Sequence, residues 1–124
     1  MRKVHKTYMA LPKNKRAGKW YVVDASGKTL GRLASRIAMI LMGKIHPEFT
    51  PNVAMGDHVV VLNAKLIRVK GTNKPQDKLY TYYTGYTRGI KQTTLEDMLE
   101  HKPTEVIREA VRKMLPKNML ARKM

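Results

Sequence analysis

Three groups of residues in this sequence have types that could do chemistry. The first is Gly27-Lys28-Thr29, which matches the end of a phosphate-cradling loop, G-x-x-x-x-G-K followed by Ser or Thr. Such a loop wraps a triphosphate in backbone N–H groups. The spacing does not hold here. The glycine wanted five residues before Gly27 is replaced by Val22, inside the apolar pair Val22-Val23 that belongs to a strand. The turn left between strand and helix, about Ala25 to Thr29, has an ordinary length and is too short to enclose a triphosphate. The best second strand, Val59-Val60-Val61-Leu62, ends at Asn63, where a Mg²⁺-holding Asp would be needed. The plain reading makes Gly27 the turn, Thr29 the helix cap and Lys28 one more positive charge.

The second group is the histidines and acids. His5, His46, His58 and His101 are not spaced with a second histidine or a carboxylate as a metal site requires. They read as surface residues or as satisfied core residues. Ser26 and Ser35 do not sit in a nucleophile elbow. Asp24 and Asp57 flank strand ends, where an acid can act as a base but more often caps a turn. No catalytic constellation emerges. The expectation is a non-enzyme with no catalytic residue, no metal site and no cofactor.

The third group is the cations. The 124 residues hold 25 Lys+Arg against 9 Asp+Glu, a formal net charge of +16. A domain this basic repels itself when alone and is matched to a polyanion. The longest apolar run, Ile37 to Met42, is far short of a membrane span. That leaves nucleic acid favoured over an anionic membrane surface. The N-terminus has charges but no apolar stretch after them, so no signal peptide is expected. With no cysteine, disulfide and thiolate chemistry are excluded, consistent with a cytosolic setting.

These residues must be positioned by elements. Residues 1–19 form a basic arm, with Arg2, Lys3, Lys6, Lys13, Lys15, Arg16 and Lys19 and no acid. It reads as a solvated tail or, better, as an arm that orders against phosphate. Trp20 to Asp24 reads as a strand. Leu30, Leu33, Ala34, Ile37 and Leu41 make one apolar stripe of a helix from Thr29 to Met42, ended by Gly43. Arg32 and Arg36 share a different face, with no acid nearby on it. Val59 to Leu62 is apolar on both faces, the mark of a parallel strand covered on both sides. Leu66 to Val69 is a shorter strand candidate, Thr72 to Lys78 a polar loop and Leu79 to Thr84 a strand. Tyr86 to Gln92 reads as a glycine-punctuated loop. Thr93 with Glu96 suits a capping box for a helix to His101. Pro103 opens a last helix, stopped by Pro116, with Glu105–Arg108 and Glu109–Lys113 as in-helix pairs.

Between Lys65 and Lys91 lie seven cations, one acid (Asp77) and the tyrosines 80, 82, 83 and 86. Cations neutralise phosphates and tyrosine rings offer faces for exposed bases. Alternation puts Tyr80 and Tyr82 on one face and Tyr83 on the other, so some belong to the core. Tyr86 and Arg88, in the loop, are the better contact candidates.

Taken together, the segments resemble the bacterial-type large-subunit ribosomal protein thirteen family from about Trp20 to Leu120. The likeness rests on Trp20-Tyr21-Val22-Val23-Asp24-Ala25, Leu30-Gly31-Arg32-Leu33-Ala34-Ser35 and Phe49-Thr50-Pro51. It continues in Gly56-Asp57-His58-Val59-Val60-Val61-Leu62-Asn63-Ala64, Tyr83-Thr84-Gly85-Tyr86 and Gly89-Ile90-Lys91, and closes in Val111-Arg112-Lys113-Met114-Leu115-Pro116-Lys117-Asn118. It implies a three-layer α/β/α domain around a four-stranded, mainly parallel sheet. It implies a structural constituent of the large ribosomal subunit that binds its RNA and joins assembly early, in the bacterial cytoplasm or an organelle of bacterial descent. The partners expected are large-subunit RNA and neighbouring ribosomal proteins, with no membrane and no small-molecule substrate. Contacts of the family's C-terminal tail are not carried over, because Leu120 is followed here by Ala121-Arg122.

The organisation expected is a basic extension over 1–19, one α/β domain over 20–116 and a basic tail over 117–124. The residues expected to touch RNA are Arg2, Lys3, Lys6, Lys13, Lys15, Arg16, Arg32, Arg36, Lys44, Lys70, Lys74, Lys78, Tyr86, Arg88, Lys91, Lys117, Arg122 and Lys123.

Overall fold

The computed structural model describes residues 7–12, 17–71 and 74–124. The elements run β1 (Trp20–Asp24), α1 (Leu30–Met42), β2 (His58–Leu62), α2 (Lys74–Asp77), β3 (Leu79–Tyr83), β4 (Ile90–Thr94), α3 (Leu95–His101) and α4 (Pro103–Met114). The class is mixed α/β. The single four-stranded sheet is not what forms: among the described residues there are two sheets of two strands each.

β1 and β2 pair in parallel, Trp20 opposite His58 through Asp24 opposite Leu62. Beyond β2 the chain winds into a short 3₁₀ turn, Ala64–Leu66, and then meets the first loop at a single parallel bridge, Thr29 with Arg68. That bridge is all that comes of the expected strand at Leu66 to Val69. Its partner residue, Thr29, immediately precedes the first helical residue of α1, so the ladder has nowhere to extend. β3 and β4 form an antiparallel hairpin, Leu79 opposite Thr94 through Tyr83 opposite Ile90. β4 falls largely inside the segment read as a loop. Its Lys-Gln-Thr-Thr composition hides it, because neither face carries an apolar series.

The core explains the helix boundaries. Leu30, Leu33, Ala34, Ile37 and Ala38 of α1 are buried against Val106, Ile107 and Val111 of α4, with Leu95 and Ile67 in the same cluster. Gly43 ends α1 in the left-handed conformation, φ 77°, as a helix C-terminal glycine should. At the other end Thr29 holds the N-cap position without bonding through its side chain, so the expected hydroxyl cap is not made. The residues on either side of it are tied to Arg68, the Leu30 N–H to the Arg68 carbonyl and the Arg68 N–H to the Lys28 carbonyl. Gly27, φ 66°, makes the turn as expected. The cap of α3 is Thr94 rather than Thr93. Its hydroxyl accepts the Asp97 N–H at 3.2 Å, while Thr93 remains in β4. Pro103 takes the first turn of α4.

Val23, Val59 and Val61 pack on this core from the inner face of β1–β2. The alternate residues Val22, Val60 and Leu62 are exposed, and Trp20 stacks on His58 at the surface with ring centroids 4.6 Å apart. The helices therefore cover one face of the pair and not both. Strand apolarity on both faces records composition; which face is covered depends on where α1 and α4 pack.

Candidate nucleic-acid interface

The basic face of α1 is set by its apolar stripe. With Leu33 and Ile37 turned into the core, Arg32 and Arg36 project outward one helical turn apart. Cβ atoms at this spacing are about 5–6 Å apart. Both arginines line a groove of about 450 Å³ between α1 and β1, and Lys28, from the turn before the helix, lines it too. The exposed groups of this groove are thus three cations beside buried Leu33 and Ile37. Among the described residues neither arginine is in an ion pair. Lys28 was not among the expected contact residues. The signal for it was present, in a cation four residues before Arg32 at the mouth of the same helix, but the turn had to be folded to place it there.

The turn itself is tied down. Asp24 Oδ1 accepts the Ser26 N–H at 3.0 Å and the Asn63 side-chain amide at 2.9 Å. The Ser26 bond foremost, then that of Asn63, holds the Asp24 carboxyl below its ordinary range. Asp24 is thus a turn cap.

Asp57 has a different role. It is buried, its Oδ1 accepts the Lys19 N–H at 2.8 Å, and its Oδ2 lies 2.6 Å from His46 Nε2. Its own N–H donates to the Ile40 carbonyl at 3.2 Å. Asp57 therefore joins the end of α1 through its backbone, and through its carboxylate the following loop and the residue where the arm enters β1. His46 is a satisfied structural histidine. The arm makes a second contact: Ala10 is buried with Val53 and Met55, and its N–H donates to Thr50 Oγ1 at 3.1 Å.

Of the remaining expected residues, Lys44, Lys70, Lys74, Lys78, Arg88, Lys91, Lys117, Arg122, Lys123 and Tyr86 are all exposed. Arg2, Lys3, Lys6, Lys13, Lys15 and Arg16 lie outside the described residues. The structure does not gather the rest into one patch on a single element. Arg32 and Arg36 share the α1 groove, Arg88 and Lys91 belong to the β3–β4 hairpin, and Arg122 and Lys123 lie in the terminal 3₁₀ turn.

A larger cleft, about 630 Å³, separates the hairpin from α3 and α4. Its cations are interleaved with Asp97, Glu105 and Glu109, which makes it a poor phosphate site. Tyr80 forms part of its wall, with Lys78 Nζ 5.2 Å and Lys113 Nζ 5.7 Å from the ring centroid. Burial pushes the Tyr80 hydroxyl up from its ordinary pKa, opposed by the Lys113 charge. That hydroxyl has no hydrogen-bond partner among the described residues.

Among the described residues no three His, Cys, Asp or Glu side chains are grouped to hold a metal ion, and no helix is long and apolar enough to cross a membrane. An α/β domain of this charge, with cations grouped in a groove that have no ion-pair partner among the described residues, has the make-up of a polyanion-binding protein.

The model of the family described as Ribosomal protein L13 matches residues 18–124. A large ribosomal subunit protein uL13 from Thermoanaerobacter sp. (strain X514) is 54% identical over 119 residues, covering 96% of this chain and 82% of the relative. Proteins of the same name from Symbiobacterium thermophilum and Alteromonas mediterranea are 52% and 50% identical, covering 98% and 96% of this chain and 83% and 82% of their own lengths. The chain belongs to the ribosomal protein L13 family, which is structural and not enzymatic.

Proposed function

We propose that this chain is a structural constituent of the large ribosomal subunit, binding large-subunit RNA and joining subunit assembly early. The observation that carries the reading is the row of exposed cations on α1, Arg32 and Arg36 with Lys28 beside them, without an ion-pair partner among the described residues, in a chain of net charge +16. Their role is to neutralise backbone phosphates, which positions the protein without reading sequence. Lys44, Lys70, Lys74, Lys78, Arg88 and Lys91 add contacts from other sides, Lys117, Arg122 and Lys123 from the tail, and Arg2 to Arg16 from the arm. Residues 20–116 act as the folded domain, and 1–19 and 117–124 as basic extensions. Neighbouring large-subunit proteins share the site, in the cytoplasm or in an organelle of bacterial descent.

Equilibrium binding of the full chain to purified large-subunit RNA over a series of salt concentrations tests the reading. The log–log slope should be about −0.7 to −0.9 per phosphate neutralised. A flat response overturns it. A parallel titration with ATP or GTP and Mg²⁺ should show no binding, since the Gly27-Lys28-Thr29 turn lacks the upstream glycine.

A further inference from the structure

The β3–β4 hairpin has a root and a free part. Its root is held by Tyr80, which packs against the main core, and by Leu95, which is fully buried just after β4. Beyond the pair Tyr80–Thr93, both strands are exposed on both faces. Tyr82, Tyr83, Tyr86 and Ile90 are 68%, 59%, 79% and 62% exposed. So much apolar and aromatic surface on a small projecting element marks a contact site rather than chance exposure.

The tip is rigidly specified. The Thr84 N–H donates to the Gly89 carbonyl at 3.0 Å, the Thr84 hydroxyl to the same carbonyl at 3.1 Å, and the Gly89 N–H to the Tyr86 carbonyl at 2.8 Å. A Cβ at position 89 would come within 2.0 Å of Thr84 Oγ1, so glycine is required there. Arg88 holds φ 61°, a left-handed conformation costly for a side chain of its kind. These bonds fix the backbone at Tyr86 and Arg88 while the two side chains stand in solvent. Between Asp77 and Glu96 there is no acid, and the cations are Lys78, Arg88 and Lys91. Lys91 sits directly across the ladder from Tyr82. The ribbon thus combines aromatic faces with positive charge and carries no acid of its own. The carboxylates nearest it, Asp97, Glu105 and Glu109, lie across the cleft that Tyr82 and Lys91 line, while Tyr86 and Arg88 stand at the tip outside that cleft.

We propose that this ribbon is the base-reading element of the RNA contact, with Tyr86 and Tyr82 stacking on unpaired nucleotides and Arg88 and Lys91 on the flanking phosphates. The inference rests on the RNA-binding reading above and divides it in two. The α1 groove meets only phosphates; the ribbon requires bases whose faces are free. An A-form duplex keeps those faces inside its stack, so the target is a bulge, loop or junction. Because the backbone that carries Tyr86 is already held by the bonds of the tip, stacking orders little more than the side chain.

The test uses the full chain and purified bacterial large-subunit RNA. A photo-crosslinking benzoylphenylalanine in place of Tyr86 is used to map the nucleotides it touches. Affinity and dimethyl sulfate reactivity are then compared for the wild type, Tyr82→Ala, Tyr86→Ala and Tyr86→Phe. The crosslinks should fall on unpaired nucleotides. Each alanine variant should weaken binding about 5- to 100-fold and restore reactivity at those bases. Tyr86→Phe, which keeps the ring, should behave as the wild type. The salt slope should be unchanged in all three, because no phosphate contact is lost. Thermal unfolding should also be unchanged, since the residues replaced are exposed.

Crosslinks confined to duplex, or transferred to a neighbouring protein in reconstituted subunits, would overturn the proposal. So would wild-type affinity in Tyr86→Ala. A wild-type chain that binds with a steep salt slope while Tyr86→Ala changes nothing sinks the ribbon alone. A wild-type chain that does not bind at all sinks the phosphate reading with it.

Discussion

Helices α1 and α4 bury their apolar stripes against each other, yet their outer faces are opposite in kind. On α4 the cations are answered within the helix. Arg108 pairs with Glu105 at 2.8 Å, and Glu109 takes Arg112 with Lys113 3.9 Å away. On α1, Arg32 and Arg36 share a groove with Lys28 and have no carboxylate partner among the described residues. The same residue type therefore carries two meanings. An arginine matched one turn away contributes at most a few tenths of a kcal/mol to its own helix. An unmatched row leaves its field for an anionic partner, and a polyanion can answer three cations side by side. On the function proposed above, α4 is scaffold and α1 is interface.

Their shared core sets the largest expected effect. Leu33→Ala in α1 removes a side chain that is 5% exposed and should cost about 2–5 kcal/mol, read from the urea midpoint. A loss under 1 kcal/mol would mean that the two helices do not depend on one another. Next is Asp57→Ala, which strips the Lys19 N–H of its acceptor and removes one partner of His46. Leaving such groups unsatisfied costs roughly 1–3 kcal/mol. Chemical denaturation measures it, and an unchanged midpoint would show that the junction of arm, α1 and β2 is held elsewhere.

Sharper still is a pair of double variants with equal charge change. Arg32→Ala with Arg36→Ala should lower RNA affinity and reduce the salt slope by about 1.4–1.8, two phosphates' worth. Arg108→Ala with Arg112→Ala removes the same formal charge and should leave the slope nearly unchanged. Stability should move by no more than about 0.5 kcal/mol in the α1 pair. If both doubles shift the slope equally, net charge alone governs binding and the contrast between the helices fails.

The smallest effect concerns the turn that delivers Lys28. Asp24 is held below its ordinary pKa by the Ser26 N–H and the Asn63 amide. Its contribution is therefore present near neutrality and is lost as pH falls through the lowered value. Asp24→Asn should be slightly less stable than wild type at neutral pH, and the gap in Tm should close in strong acid. A gap that widens in acid would contradict the bonding described.

How much was legible varied with how local the cause was. α1 could be read to within a residue, since an apolar group every three or four positions and a glycine at its end are all within one segment. α4 and its ion pairs were equally local. The strand β4 was missed, because a ribbon exposed on both faces has no alternation to read. The cap at Thr94 was misplaced by one, since hairpin register, rather than the Thr-x-x-acid spacing, decides which threonine leaves the ladder. The two-sheet arrangement was missed for a related reason. Apolar residues on both faces of Val59–Leu62 suggested cover on both sides, yet Val60 and Leu62 are exposed.

What the sequence determined unaided was the excess of positive charge, the helices α1 and α4 with their ends, the failed phosphate loop and the family likeness. All of these depend on residues close together in the chain or on composition. The one-turn α2, Lys74–Asp77, was hidden in a segment whose polar composition reads as a loop. The tertiary structure decided which cations have partners, that Lys28 joins Arg32 and Arg36, and that Tyr82, Tyr83 and Tyr86 of the hairpin stand in solvent while Tyr80 does not. Those outcomes depend on burial and on neighbours distant in sequence. A side chain's field and exposed face are set by what packs against it, and that is known only once the chain has folded.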